Sequence, residues 1–185
     1  MRGREILVGV TGGVAAYKTA ALVSQLAQAG AGVTVVLTAA AREFVGAATF
    51  EALSGRKVHS GVFGESDYPL GAHIGLAERS ELLCVAPATA NFLAKTAHGI
   101  ADDLLSTLML SFSGPALLAP AMNGQMWDKP AVQRNVEQLR HDGYAFVGPE
   151  EGWLSCRQTG MGRMASPEAI FAAIGELLKR LPLRN

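Results

Sequence analysis

Apolar positions in this chain fall into short unbroken runs, separated by stretches with helical spacing. Glu5 to Val10 and Val33 to Leu37 are such runs, the second β-branched. Between them, Val14 to Gln28 places Ala16, Ala20, Val23 and Ala27 at helical intervals, and Gly30 to Gly32 closes the helix. Runs without polar alternation suit strands covered on both faces, so the chain opens as strand, right-handed helical crossover, parallel strand. The pattern then repeats. A helix is predicted over Phe44 to Leu53, a short helical stretch over Ile74 to Glu78, and a strand over Ser80 to Pro87. Thr89 to His98 and Ala101 to Phe112 read as helices broken near Gly99. Strand Pro115 to Ala119, helix Ala131 to His141, strand Tyr144 to Gly148 and helix Pro167 to Leu181 follow, with Pro167 at a favoured first-turn position. Gly55 to Gly71 and Pro149 to Ser166 are rich in glycine and polar residues, and read as an irregular connection and a long loop. With no repeat and no linker, residues 1–185 are expected to form one domain. Its class is α/β: a three-layer, doubly wound parallel sheet of roughly five or six strands, Rossmann-like or flavodoxin-like.

Composition narrows the function. The 185 residues are 49% hydrophobic and 17% charged, which points to further apolar burial between subunits. Sixteen basic residues balance sixteen acidic ones, with no long run of either sign, so neither nucleic acid nor a membrane surface is expected as partner. The first apolar run is interrupted by Thr11-Gly12-Gly13, so no signal peptide is expected, and no apolar span is long enough to cross a bilayer. Two cysteines are too few for a disulfide framework, and a cytoplasmic location is the expectation. The four histidines and two cysteines show no metal-ligand spacing, so no metal is expected.

Candidate chemistry lies at the ends of the predicted strands. Residues 120–127, Pro-Ala-Met-Asn-Gly-Gln-Met-Trp, follow a strand where open α/β sheets place ligands. Asn123 offers amide donors and an acceptor, while Met122, Met126 and Trp127 supply an apolar wall; the competing reading is a core loop with a capping Asn. The turn Gly9 to Ala16 lets backbone N–H groups approach an anion at a helix N-terminus, with Thr38 within reach as a hydroxyl. It matches neither the dinucleotide fingerprint nor a Walker loop, and a simple tight turn stays open. Thr89 and Asn91 in Pro87 to Phe92 serve equally as helix caps or ligand contacts. His73 suits a base near neutral pH, or a surface cap. Cys84 sits inside an apolar strand and reads as a buried small hydrophobe. Cys156 lies in the glycine-rich loop 151–163 with arginines on either side, which suits a reactive thiol on a flap; an incidental exposed thiol is the alternative.

Taken in order, Thr11 to Lys18, His73 to Ala77, Pro87 to Asn91, Pro120 to Trp127 and the Cys156 loop resemble the homo-oligomeric flavin-containing cysteine decarboxylases over nearly the whole chain. Within that family the likeness is to the members that decarboxylate phosphopantothenoylcysteine in coenzyme A biosynthesis. The resemblance implies bound FMN, its phosphate at Gly13, Val14 and Ala15 with Thr38, and at the turn Thr89, Ala90, Asn91 and Phe92, with Ala121 beside the flavin. It implies trimers, or multiples of trimers, with the flavin near a subunit interface. The implied chemistry is an oxidative decarboxylation of the substrate cysteine, redox-neutral overall: hydride to the flavin, loss of carbon dioxide, then hydride return and protonation. His73 is then the base, Asn123 holds the substrate carboxylate, and Cys156 donates the last proton. Met126, Trp153, Leu154 and Ser155 line the substrate.

Two departures stand out. The family turn is usually Pro-Ala-Ser-Ala-Asn-Thr, and Thr89 and Phe92 replace its Ser and Thr here; the second swap removes a hydroxyl. The clamp usually has glycine after its cysteine, where this chain has Arg157. Many bacterial members carry a C-terminal synthetase domain. A chain ending at Asn185 is expected either to work beside a separate phosphopantothenate–cysteine ligase or to be the N-terminal part of a longer protein. Alternatives on the same fold are a peptidyl-cysteine decarboxylase of lantibiotic type, a flavin prenyltransferase and a non-catalytic regulatory subunit. Retention of Cys156 weighs against the first, the Pro120 to Trp127 run and the Cys156 clamp against the second, and the intact set His73, Asn123 and Cys156 against the third.

Overall fold

The computed structural model describes residues 1–62 and 71–182. Part of the predicted irregular connection, residues 63–70, lies outside them. Five parallel strands form the central sheet: β1 (Glu5–Val10), β2 (Gly32–Leu37), β3 (Leu82–Ala88), β4 (Ala116–Pro120) and β5 (Ala145–Phe146). Their spatial order is β2-β1-β3-β4-β5, and β1 runs in register with β2 from Glu5–Gly32 to Val10–Leu37.

Side chains alternate across this sheet, and both sets are apolar. Ile6, Val8, Val10, Leu82, Cys84, Ala86, Leu117 and Ala119 point to one face, where α1 (Ala16–Gln28), α2 (Ala47–Ser54) and α8 (Pro167–Leu178) cover them. Leu7, Leu83, Val85 and Leu118 point to the other. They meet α3 (Ala72–Arg79), α4 (Ala90–Ala97), α5 (Leu104–Ser111) and α7 (Pro130–His141). This double burial is the three-layer, doubly wound arrangement predicted from unbroken apolar runs. The strand order reverses between β1 and β3, where the first crossover goes one way and the next goes the other. That leaves a crevice beyond their carboxyl ends.

Several boundaries differ from the pattern. A 3-10 turn, Ala39–Glu43, precedes α2 and delays it to Ala47. β5 has two residues rather than five, paired at the sheet edge with Leu117 and Leu118 of β4. The stretch read as a long loop contains an antiparallel hairpin, β6 (Glu150–Trp153) with β7 (Thr159–Arg163), and a short helix α6 (Gly124–Trp127) was not foreseen. The hairpin escapes periodicity because three glycines, 152, 160 and 162, replace the apolar-polar alternation that marks a strand. α8 stops at Leu178. Beyond it the buried Arg4 guanidinium donates to the carbonyls of Leu178 (3.1 Å), Leu181 (3.0 Å) and Pro182 (2.8 Å) while pairing with Glu81 at 2.6 Å.

Candidate active site

The turns after β1, β2, β3 and β4 surround one cavity of about 750 Å³ at the switch point, and the β6–β7 hairpin covers it. Thr11 ties two of those turns together. Its buried hydroxyl donates to the Pro87 carbonyl at 2.7 Å and accepts the Thr89 N–H at 3.2 Å. Each such bond contributes on the order of 1 kcal/mol, so the ends of β1 and β3 are braced before any ligand arrives. Glycine at 12 is required by the protein: a Cβ there would overlap Ala40 of the 3-10 turn. Gly13 is different. The nearest atoms to a Cβ would be Thr89 Cγ2 at 3.5 Å and Pro87 Cγ at 3.9 Å, so no neighbour in the chain demands glycine, and bare backbone faces the cavity.

Helix α1 begins here without a side-chain cap, whereas Thr89, Asp103, Asn123 and Ser166 cap α4, α5, α6 and α8. The helix starts at Ala16 with Ala15 as its cap residue, so its positive dipole end and the Gly13–Ala15 backbone leading into it border the cavity, where an anion is favoured. Thr38 lies opposite, its hydroxyl accepting from the Ala41 N–H at 3.2 Å. Of the turn Thr89 to Phe92, Thr89 is an N-cap, accepting from the Phe92 N–H at 3.3 Å. Phe92 borders the cavity, yet its ring is buried in the core between the sheet and α4, so it brings no polar side-chain group.

Asn123 takes the capping reading that its sequence left open, and it also borders the cavity. As N-cap of α6 its Oδ1 accepts the Gln125 N–H at 2.8 Å. That bond fixes the amide and leaves both Nδ2 hydrogens available to a ligand. The main chain on either side is anchored: Ala121 N–H donates to Ala88 O (3.1 Å), and Met122 N–H donates to Gly162 O (2.9 Å). The second bond docks the hairpin onto the end of β4, and a Cβ at Gly162 would collide with the Met122 carbonyl. At the hairpin tip, Leu154 N–H donates to Gln158 O (2.8 Å) and Arg157 N–H to Leu154 O (2.9 Å). Leu154 is buried, Trp153 is 65% exposed, and Ser155 and Cys156 are open to solvent on the cavity side. Cys84 is the opposite kind of cysteine. Burial pushes its thiol up to about 12, which keeps it protonated and inert.

Thus Gly13, Val14, Ala15, Thr38, Thr89, Ala90, Asn91, Phe92, Ala121, Asn123, Met126, Trp153, Leu154, Ser155 and Cys156 all border one cavity. His73 does not. It sits in the first turn of α3, half-buried, with its Nδ1 enclosed and unpartnered. Sequence reasoning gave no role to four charged members of the wall, Lys18, Lys95, Asp103 and Arg163. Lys95 pairs with Asp102 (2.6 Å) and Asp103 (3.3 Å). The hydrogen bond to Asp102 chiefly raises the Lys95 ammonium, and the same bond lowers the Asp102 carboxyl. Arg163 and Asp103 also border the cavity. The cap signature Asp103-x-x-Ser106 before an apolar helix was legible in principle; the reach of Lys95 across it was not. Among the described residues no group of His, Cys, Asp and Glu is gathered to hold a metal ion, and no helix is long and apolar enough to cross a membrane.

The flavoprotein family model matches residues 1–179. The chain belongs to the flavoprotein family. Among curated relatives of this flavoprotein, the coenzyme A biosynthesis bifunctional protein CoaBC of Bacillus subtilis (strain 168) is 47% identical over 170 residues, covering 92% of this chain and 42% of that protein. CoaBC of Haemophilus influenzae is 42% identical over 180 residues, covering 97% and 45%. The chain therefore spans less than half the length of these relatives. Among solved structures, the FMN-dependent cysteine decarboxylase SpaF superposes with a TM-score of 0.81 at 37% identity, over 96% of each chain. A PPC decarboxylase mutant complexed with pantothenoylaminoethenethiol gives 0.88 at 26% identity, over 96% of this chain and all of the other.

Proposed function

We propose that this flavoprotein is an FMN-dependent decarboxylase, with residues 1–185 as its flavoprotein domain, and that it converts phosphopantothenoylcysteine into phosphopantetheine in coenzyme A biosynthesis. One observation carries the reading. The bare backbone at Gly13, the uncapped start of α1, Asn123 and Cys156 meet in one cavity, in a chain 47% identical to the matching part of a CoaBC. The residues fit FMN: Gly13, Val14, Ala15 and Thr38 suit its phosphate, the Thr89 to Phe92 turn adds backbone and hydroxyl contacts, and Ala121 stands where a flat ring can lie close. When bound, the flavin supplies a reversible two-electron acceptor for the cysteine-derived carbon of the substrate.

The chain's own residues bind, orient and protonate. The two Nδ2 hydrogens of Asn123 hold the substrate carboxylate near the apolar Met126. Trp153, Leu154 and Ser155 close over the substrate and exclude water, and the Cys156 thiol delivers the proton that completes phosphopantetheine. His73 serves as base from a second copy of the chain, since it lies away from the cavity of its own. Exposed Val14, Tyr17 and Met126 at the cavity wall support an apolar contact between copies. This makes the protein a homo-oligomer, trimeric or a multiple of trimers, working in the cytoplasm with a phosphopantothenate–cysteine ligase on another chain or on a continuation of this one.

The test is direct. Purified protein should be yellow, and with phosphopantothenoylcysteine it should release carbon dioxide and yield a product with the mass of phosphopantetheine. Protein that stays colourless and refuses FMN rejects the cofactor, and a product arrested at the enethiol assigns it to peptidyl-cysteine chemistry. Mixing His73→Asn subunits, expected to be inactive, with Cys156→Ser subunits, expected to stop at the enethiol, should restore phosphopantetheine formation in mixed oligomers. No recovery would mean that His73 is not shared between copies.

A further inference from the structure

Arg163 has a purpose-built seat. Its side chain borders the cavity from the base of the hairpin. Its Nη2 donates to Glu150 Oε2 at 3.0 Å across the β6–β7 pair, and the other oxygen of Glu150, Oε1, accepts the Ser166 N–H at 3.4 Å, beside the cap of α8. The guanidinium lies flat along β6 over Gly152. A Cβ at 152 would come within 2.6 Å of Cζ, 2.7 Å of Nε and 2.8 Å of Nη1, so glycine there gives the arginine its place. The side chain is still 41% exposed, and its Nε is enclosed without a partner. An arginine held by one carboxylate through Nη2, with no partner on Nη1 and its side chain part-exposed at the cavity wall, keeps guanidinium donors for an anion there.

From this we infer that Arg163 is a specificity-determining residue that takes an oxyanion of the substrate, with Glu150 and Gly152 as its positioning residues. The inference rests on the decarboxylase reading above. It adds a second anion contact, on the hairpin, to the one at α1. Phosphopantothenoylcysteine carries two oxyanions, a carboxylate and a phosphate, and the fork suits either.

The experiment uses the FMN-loaded protein with two substrates, phosphopantothenoylcysteine and its dephosphorylated counterpart pantothenoylcysteine. Replacing Arg163 with Met should raise KM for the phosphorylated substrate by about 10- to 100-fold, the size expected for a charge-assisted contact, with kcat changed much less. R163K should recover part of the loss, because it keeps the charge without the fork. Gly152→Ala keeps the arginine but fills its seat, and should raise KM in the same direction. If the penalty disappears with pantothenoylcysteine, Arg163 reads the phosphate; if it persists undiminished, Arg163 reads the carboxylate. Unchanged KM for both substrates in R163M overturns the inference. So does a KM effect that merely follows weaker FMN binding with riboflavin binding untouched, which would assign the fork to the flavin phosphate. A wild-type protein with no turnover removes the decarboxylase reading and this inference together, whereas an active wild type with an indifferent R163M removes this inference alone.

Discussion

The floor and the roof of the cavity are built by different means. The floor is the set of strand ends at the switch point, where Thr11 joins the turns after β1 and β3 and the main chain of Ala121 bonds to Ala88. Its supporting side chains are buried in two apolar layers, so its geometry is preset at the cost of folding and not of binding. The roof is a glycine-rich hairpin held by one main-chain bond to Met122, the Ser166 N–H donated to Glu150 and the buried Leu154, with an exposed tip. Elements with few buried contacts open most readily. A rigid floor suits a cofactor that stays, and a lightly held roof suits a substrate that must enter and leave.

Substitutions can break that contrast. Cys156→Ser, on the roof, should leave FMN affinity at the wild-type value while product analysis by mass spectrometry finds the unsaturated enethiol in place of phosphopantetheine; normal product would remove the thiol from the protonation step. Asn123→Ala, where floor meets roof, should lower kcat/KM by about 100-fold through lost donors to the carboxylate. It should also cost about 1 kcal/mol in urea unfolding through the lost α6 cap. Gly12→Val, on the floor, forces a side chain into Ala40, and overpacking of about 1–3 kcal/mol should weaken FMN about 10- to 100-fold in a fluorescence titration. Wild-type affinity in that variant would show the turn is not the cradle.

Smaller effects sharpen the picture. Arg157 is, among the described residues, the one non-glycine with positive φ (61°), at the roof's tip. Arg157→Gly should relieve about 1 kcal/mol of left-handed strain and raise the melting temperature slightly, without altering FMN binding. The smallest effect belongs to the Lys95–Asp102 pair on the wall. Asp102 is depressed below its ordinary 3.8, so its contribution is present above that pH and is lost as pH falls through the lowered value. Lys95 is raised above 10.5, so its contribution is complete below that pH and is lost as pH climbs through the raised value. Lys95→Met should therefore differ from wild type in denaturation between those limits and converge with it outside them, a small difference for so exposed a pair.

Much of this architecture is written in local pattern. The apolar runs at 5–10 and 33–37 mark strands because a parallel strand is buried on both faces. The turns at 11–13, 87–91 and 120–123 mark a site because doubly wound sheets bring successive strand ends together. Asn123 was recognisable both as a ligand group and as a cap; the fold makes it the cap of α6 and sets it on the cavity wall. Other features have no local signature. The hairpin docks on the end of β4 because Gly162 can touch the Met122 carbonyl, a contact between residues forty positions apart that no periodicity reports. Gly152 looks like an ordinary loop glycine until the Arg163 guanidinium is seen resting on it. His73, read as one more member of a single site, stands outside the cavity of its own chain. Spacing along a chain records which face of a strand or helix a residue occupies, because that is set within a few residues. Which distant atoms then share a space is set by packing the layers together, and that step placed Arg163 over Gly152 and kept His73 apart.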